Sequence, residues 1–151
     1  VTGLAQTRGL LSTALLLAFL AGVSAPVFPG GVASAGSPLR MSVAIPAHAG
    51  DADVVMLEVS LTAAARPKTG HLGALVRLRR PDGRAVELGR VSIAPSRAGE
   101  AQHYQFNVAG ALRGLPAQGG SAVVEVEAID RGGGSAAGAR LAIQSARIVT
   151  R

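Results

Sequence analysis

Three histidines, two methionines and one tyrosine, together with a cluster of arginines, are the side chains of this 151-residue sequence with most chemistry to offer. His48, His71 and His103 are the wrong distance apart for a local metal site, with no His-x-His or His-x3-His pair to begin one. Met41 and Met56 are soft ligands that could join a copper site, but both sit in alternating apolar runs where methionine fills core gaps. No metal site and no cofactor are therefore expected. Glu125 and Glu127 are two apart on one run, the spacing of a solvated strand face, and no acid is placed opposite them for paired-carboxylate chemistry. "GGGSAAG" (132–138) lies between two strand-like runs, so it reads as a loop and not as a phosphate cradle before a helix. With no nucleophile-elbow or dinucleotide pattern either, no catalytic set emerges and a non-enzyme is expected.

The arginines are more suggestive. Arg77, Arg79, Arg80, Arg84 and Arg90 flank the turn "RPDGR", and on a hairpin they would share one positive face. Arg77, Arg79 and Arg84 are the candidates for an anionic ligand, either a glycan or a lipid headgroup. Glu87 is expected across from that face, where opposite charges on paired strands are ordinary surface decoration. No aromatic residues interleave with these arginines, so single-stranded nucleic acid would have nothing to stack on, and no nucleic-acid partner is expected.

The elements that must carry these residues alternate with period two. "DVVMLEVSLT" sets Val55, Leu57, Val59 and Leu61 on one face, and "HLGALVRLRR" does the same with Leu72, Ala74, Val76 and Leu78, leaving Arg77 and Arg79 outside. "MSVAIP" alternates Met41, Val43 and Ile45. "AVELGRVSIA" changes register near Gly89, as a bulge would, and "SAVVEVEAI" turns Val124 and Val126 in and Glu125 and Glu127 out. "ARLAIQSARIVT" holds Leu141 and Ile143, then Ile148 after a second shift of register. Turn chemistry separates the runs. The pattern predicts an all-β fold, a single antiparallel β-sandwich of about seven strands. One short helix of two turns or so should follow Asn107, a good N-cap, ahead of a final hairpin. Alternation over 102–107 turns Tyr104 and Phe106 toward the core and His103 outward.

Composition adds compartment. Cysteine is absent, which excludes disulfides, thiol nucleophiles and Cys-ligated zinc, and the formal net charge is +6. Arg8, the uncharged run "GLLSTALLLAFLAGV" (9–23) and the small residues after it have the form of an export signal. Small-x-small sites end at Ala25 and Ala35; Pro26 would crowd the first, so a cut after Ala35 is expected. Left uncut, the same segment would be a membrane anchor, and in either case the remainder is exported, to the periplasm or the medium. The organisation expected is a signal segment over 1–35, a first strand and linker over 36–51, and the sandwich domain over 52–151.

Taken in order, "VVMLEVSLTAAARPKTGHLGALVRL", "VELGRVSIAP", "HYQFNVAGALRGL", "AVVEVEAID" and "ARLAIQSARIV" resemble the C-terminal β-sandwich domain of bacterial tyrosinase-like (polyphenol oxidase, type 3 copper) proteins. The resemblance spans roughly residues 52–149 and rests on order and spacing. In that family the sandwich packs over a helical dicopper domain, in some members shielding its active site with an inserted aromatic side chain. This sequence lacks the histidine-bearing helical part, so the resemblance implies the shielding role alone. Tyr104 or His103 would be the partner-facing group, and a separately encoded tyrosinase-like oxidase the partner. The function expected is an exported accessory module of that kind; the alternative is a cell-envelope binding domain using the arginine face.

Overall fold

In a computed structural model the structure describes residues 33–34, 36–68, 70–95, 97 and 99–151. Apart from Ala33 and Ser34, the leader expected over residues 1–35 lies outside the described residues. Eight strands and one turn of helix follow in order: β1 (Ala33–Ser34), β2 (Leu39–Ile45), β3 (Val55–Ala65), β4 (Gly73–Arg79), β5 (Ala85–Ser92), β6 (Gln102–Asn107), α1 (Ala109–Leu112), β7 (Gly120–Ile129) and β8 (Arg140–Thr150). They form two four-stranded antiparallel sheets, β1-β8-β3-β6 and β2-β7-β4-β5. The fold is the all-β sandwich that the period-two pattern predicts.

The inner faces are those read from alternation. Val55, Leu57, Val59 and Leu61 of β3 and Leu141, Ile143 and Ile148 of β8 meet Ala74, Val76 and Leu78 of β4 and Val124 and Val126 of β7 in one core. Each Leu or Ile so buried stabilises the fold by roughly 1.5–3 kcal/mol, so aliphatic residues alone can hold the two sheets together. Val108 and Leu112 of the helical segment close one end of the core, both fully buried. Three irregularities set the register, one of them between Ala63 and Ala65 against β8. Val76 pairs with Gly89 but Arg77 with Glu87, so the extra residue is Leu88, beside the glycine that marks the place in the sequence. Likewise Ser60 pairs with Ser145 and Leu61 with Ile143, which puts the second bulge at Gln144.

Three details differ from the sequence reading. The helix is a single turn, because Gly110 and Gly114 oppose its extension. Its N-cap is Val108, without a side-chain cap bond, rather than the expected Asn107, whose carboxamide accepts from the Ala109 amide at 3.0 Å just ahead of it. The last two strands are not a hairpin: β7 lies in one sheet and β8 in the other, joined by an arch across the end of the sandwich. Glu125 points outward as expected yet is buried, at 4% exposure, for a reason that belongs to the arginine face.

Candidate functional site

The arginine face is the outer surface of β2-β7-β4-β5. Register brings Arg40, Glu125, Arg77 and Glu87 into one row across its four strands, alternating in sign. Some side chains pair directly across this row and others diagonally. Arg40 Nε and Arg79 Nε donate to the same Glu125 oxygen at 2.9 and 3.0 Å, and Arg77 donates to Glu127 at 3.1 Å. Arg80 pairs with Asp82 and Arg90 with Glu87. The stems of two long side chains cover Glu125, which is why an outward residue is buried. Burial alone would raise its carboxyl, but hydrogen bonding and charge from Arg79, together with Arg40, outweigh that and hold it below the usual carboxylate range. Of the three arginines proposed for an anionic ligand, Arg77 and Arg79 are thus held by carboxylates, and only Arg84 stands exposed, at the β4–β5 turn.

Tyr104 and His103, adjacent on edge strand β6, face opposite ways. Tyr104 is half-buried against the core and its hydroxyl lies 2.9 Å from both the Ser92 carbonyl and Gln102 Oε1. Gln102 in turn accepts from the Ala94 amide and donates to its carbonyl, at 3.0 and 2.8 Å. The two residues fasten β6 to the end of β5, joining the open edges of the two sheets. Burial raises the Tyr104 phenol above its ordinary value, with the nearby Arg66 charge acting in the opposite sense. The ring is a clasp between sheets, turned away from the outer surface.

His103 lies on the outer face of the other sheet, where a cleft of about 430 Å³ is lined by Glu58, Ser60, His103, Gln105, Ser145 and Arg147, among others. Register explains the grouping: Gln105, Glu58 and Arg147 are directly opposite one another on β6, β3 and β8, and His103, Ser60 and Ser145 form the next row. Ser60 Oγ sits 2.7 Å from His103 Nδ1, and Glu58 accepts from Gln105 at 3.2 Å and from Arg147 at 2.7 Å. A Ser–His contact invites an acyl-transfer reading, which also needs N–H donors converging on an oxyanion. Ser60 is in the middle of β3, paired on both sides, so the backbone donors around it are committed to the ladders. What the face does offer is a two-row array of hydroxyl, carboxamide, imidazole, carboxylate and guanidinium groups. Sequence spacing could not reveal it, since Ser60 and His103 meet only through strand pairing. No group of three or more metal-ligating side chains forms among the described residues.

A second cleft, of about 610 Å³, lies at the end of the sandwich between the β3–β4 and β7–β8 connections, lined by Arg66, Pro67, Lys68, Asp130, Ser135, Ala136, Ala137 and Gly138. Large apolar surface is scarce: among the described residues Val54 is the one exposed large hydrophobic side chain.

The class these features define is an antiparallel two-sheet sandwich with polar outer faces and clefts of ligand size. No protein-family model matches the chain, and no curated protein does. Among solved structures it is similar to the xylan-binding module CBM15, with a TM-score of 0.54 and 13% identity over 79% of this chain and 74% of that one. It is also similar to xylanase 10C from Cellvibrio japonicus in complex with xylopentaose, with a TM-score of 0.49 and 12% identity over 78% of this chain and 22% of that one. At such identity the likeness to the module is one of fold.

Proposed function

We propose that the sandwich is a non-catalytic binding module for an exported or envelope polysaccharide, and that the outer face of β6-β3-β8 is where sugar hydroxyls dock. The observation that carries this is the two-row polar cleft, whose hydroxyl, carboxamide, imidazole, carboxylate and guanidinium groups can both donate to and accept from sugar hydroxyls. Two facts support it. The fold is similar to that of a module named for xylan binding. Among the described residues Val54 is the one exposed large apolar side chain, which leaves them without the apolar centre that a stable protein–protein interface needs. That second fact, with Tyr104 fastened to Ser92, favours a glycan over a tyrosinase-like oxidase as the partner.

The face has no aromatic ring laid flat on it, so affinity rests on hydrogen bonds exchanged with water, and a Kd of roughly 0.1–1 mM per short oligosaccharide is expected. Affinity electrophoresis through gels containing neutral polysaccharides tests this, with His103→Ala and Gln105→Ala as the variants; both side chains are exposed. Retardation that either variant abolishes is the expected result. Mobility unchanged by every polysaccharide, with binding of a co-expressed copper oxidase instead, would replace this reading with the accessory-module one.

A further inference from the structure

We infer that the cleft between the β3–β4 and β7–β8 connections is a site for the carboxylate of an acidic sugar residue. The inference deepens the polysaccharide reading and rests on it for the polymer, but not for the anion itself.

Three features of the cleft point the same way. Its cations are not neutralised as those of the arginine face are. Arg66 donates from Nη1 to the Ile93 carbonyl at 3.3 Å and from Nη2 to the Ala94 carbonyl, which fixes the guanidinium and leaves its charge uncompensated. The rest of its donor fork bonds to no described residue, and a fork held in place in advance recognises a carboxylate with little loss of freedom. Lys68 is exposed and follows the buried Pro67 in a turn closed by the Gly70 amide on the Pro67 carbonyl at 3.0 Å.

The opposite wall carries one carboxylate, and its setting is informative. Asp130 Oδ1 accepts from the Gly134 amide at 2.9 Å, while Oδ2 accepts from no described residue. A simple anion would be repelled by that group, and a neutral sugar would make no use of Arg66 and Lys68. A uronate satisfies both, its carboxylate turned to the two cations and its hydroxyls to Asp130 Oδ2 and Ser135. Ala137, exposed in the lining, supplies apolar surface for the C–H face of the ring, over the buried Pro67 and Ala136.

Both walls are set in advance by backbone bonds. The Ala136 amide donates to the Ala128 carbonyl at 3.3 Å and the Ala139 amide to the Ala136 carbonyl at 3.0 Å. The glycine loop beside them closes by Asp130 amide to Gly134 carbonyl at 2.8 Å, with the Arg90 guanidinium packed where a Gly133 side chain would stand. Around Asp130 the positive surface continues through Arg131, with His71 beside it.

Titration of the 15N-labelled protein with glucuronate, with xylose and acetate in parallel, reads the site. Glucuronate is expected to shift the amides of residues 66, 68 and 135–138 with a Kd of about 1–10 mM, weakening as salt is raised. Lys68→Ala and Ala137→Glu should each weaken it by about fivefold or more. Ala137 is exposed and in the cleft lining, so placing an acid there repels the ligand without removing a side-chain contact. Xylose or acetate binding as tightly as glucuronate, or A137E binding it as the parent does, overturns the assignment. Polymers separate this inference from the reading beneath it. Neutral and acidic polysaccharides bound equally, with loss only in His103→Ala, would sink the cleft and keep the module. Free glucuronate held at the cleft while no polymer binds would keep the anion site and sink the module.

Discussion

Replacing Glu125 by glutamine removes the charge at the centre of the arginine face while keeping the side chain's shape. The carboxylate is 5% exposed and takes bonds of 2.9 Å from Arg40, and of 3.0 and 3.4 Å from Arg79. Charge-assisted hydrogen bonds contribute about 1.5–3 kcal/mol each where both partners are sequestered. Here the arginines are 63% and 40% exposed, so water recovers much of that once the carboxylate is gone, and a net loss of about 1–2 kcal/mol is expected. In a domain of this size that lowers Tm by roughly 3–8 °C. The sign of the pH dependence follows from the depressed carboxyl. A group whose pKa is lower folded than unfolded contributes stability above its unfolded value and loses it as pH falls through the folded one. The gap between parent and E125Q should therefore be full at neutral pH and close in acid below the usual carboxylate range. Urea denaturation across that range, at low and high salt, measures it. An E125Q protein as stable as the parent at neutral pH, or a gap that survives unchanged in strong acid, would show that the lattice is surface decoration.

Three other outcomes are expected. Tyr104→Phe removes the hydroxyl that fastens β6 to Ser92 and should cost about 1 kcal/mol by urea denaturation. The phenol is raised, so its contribution is complete below the ordinary tyrosine value and lost as pH climbs through the higher folded one; only the parent should weaken there. Gly119→Ala places a Cβ 2.5 Å from the Ile45 carbonyl oxygen at a φ of +79°, a loss of about 2–4 kcal/mol that circular-dichroism melting would reveal. Ala33 is fully buried and pairs with Leu141, so a chain beginning at residue 36 should melt below one beginning at residue 26, as circular-dichroism melting of the two would show.

The alternation of Val55, Leu57, Val59 and Leu61 named one inner face because each of these side chains has no favourable place except between the sheets. The same rule turned Glu125 outward correctly but could not reveal its burial, which depends on Arg40 and Arg79, distant in sequence, folding over it. Which strands share a sheet was equally illegible. β7 and β8 read as a hairpin because their spacing and glycine loop suit one, and an arch between sheets uses the same residues. β1 was hidden for a different reason: two residues are too short to show a period, and they follow directly on a leader-like composition.

Net charge illustrates how far composition can locate a ligand. A value of +6 says that the molecule attracts anions at a distance, but a bound anion responds to the charges within about a Debye length, roughly 8 Å at physiological salt. On the arginine face Arg40, Arg77 and Arg79 stand against Glu125 and Glu127, so an arriving carboxylate must displace partners already in contact. At the cleft, Arg66 and Lys68 meet one carboxylate on the facing wall and have no ion pair to break among the described residues. Removing Arg79 should therefore lower stability and leave glucuronate binding intact, whereas removing Lys68 should do the reverse. Arg66 and Lys68, both in the β3–β4 connection, are cations that pair with no acid among the described residues.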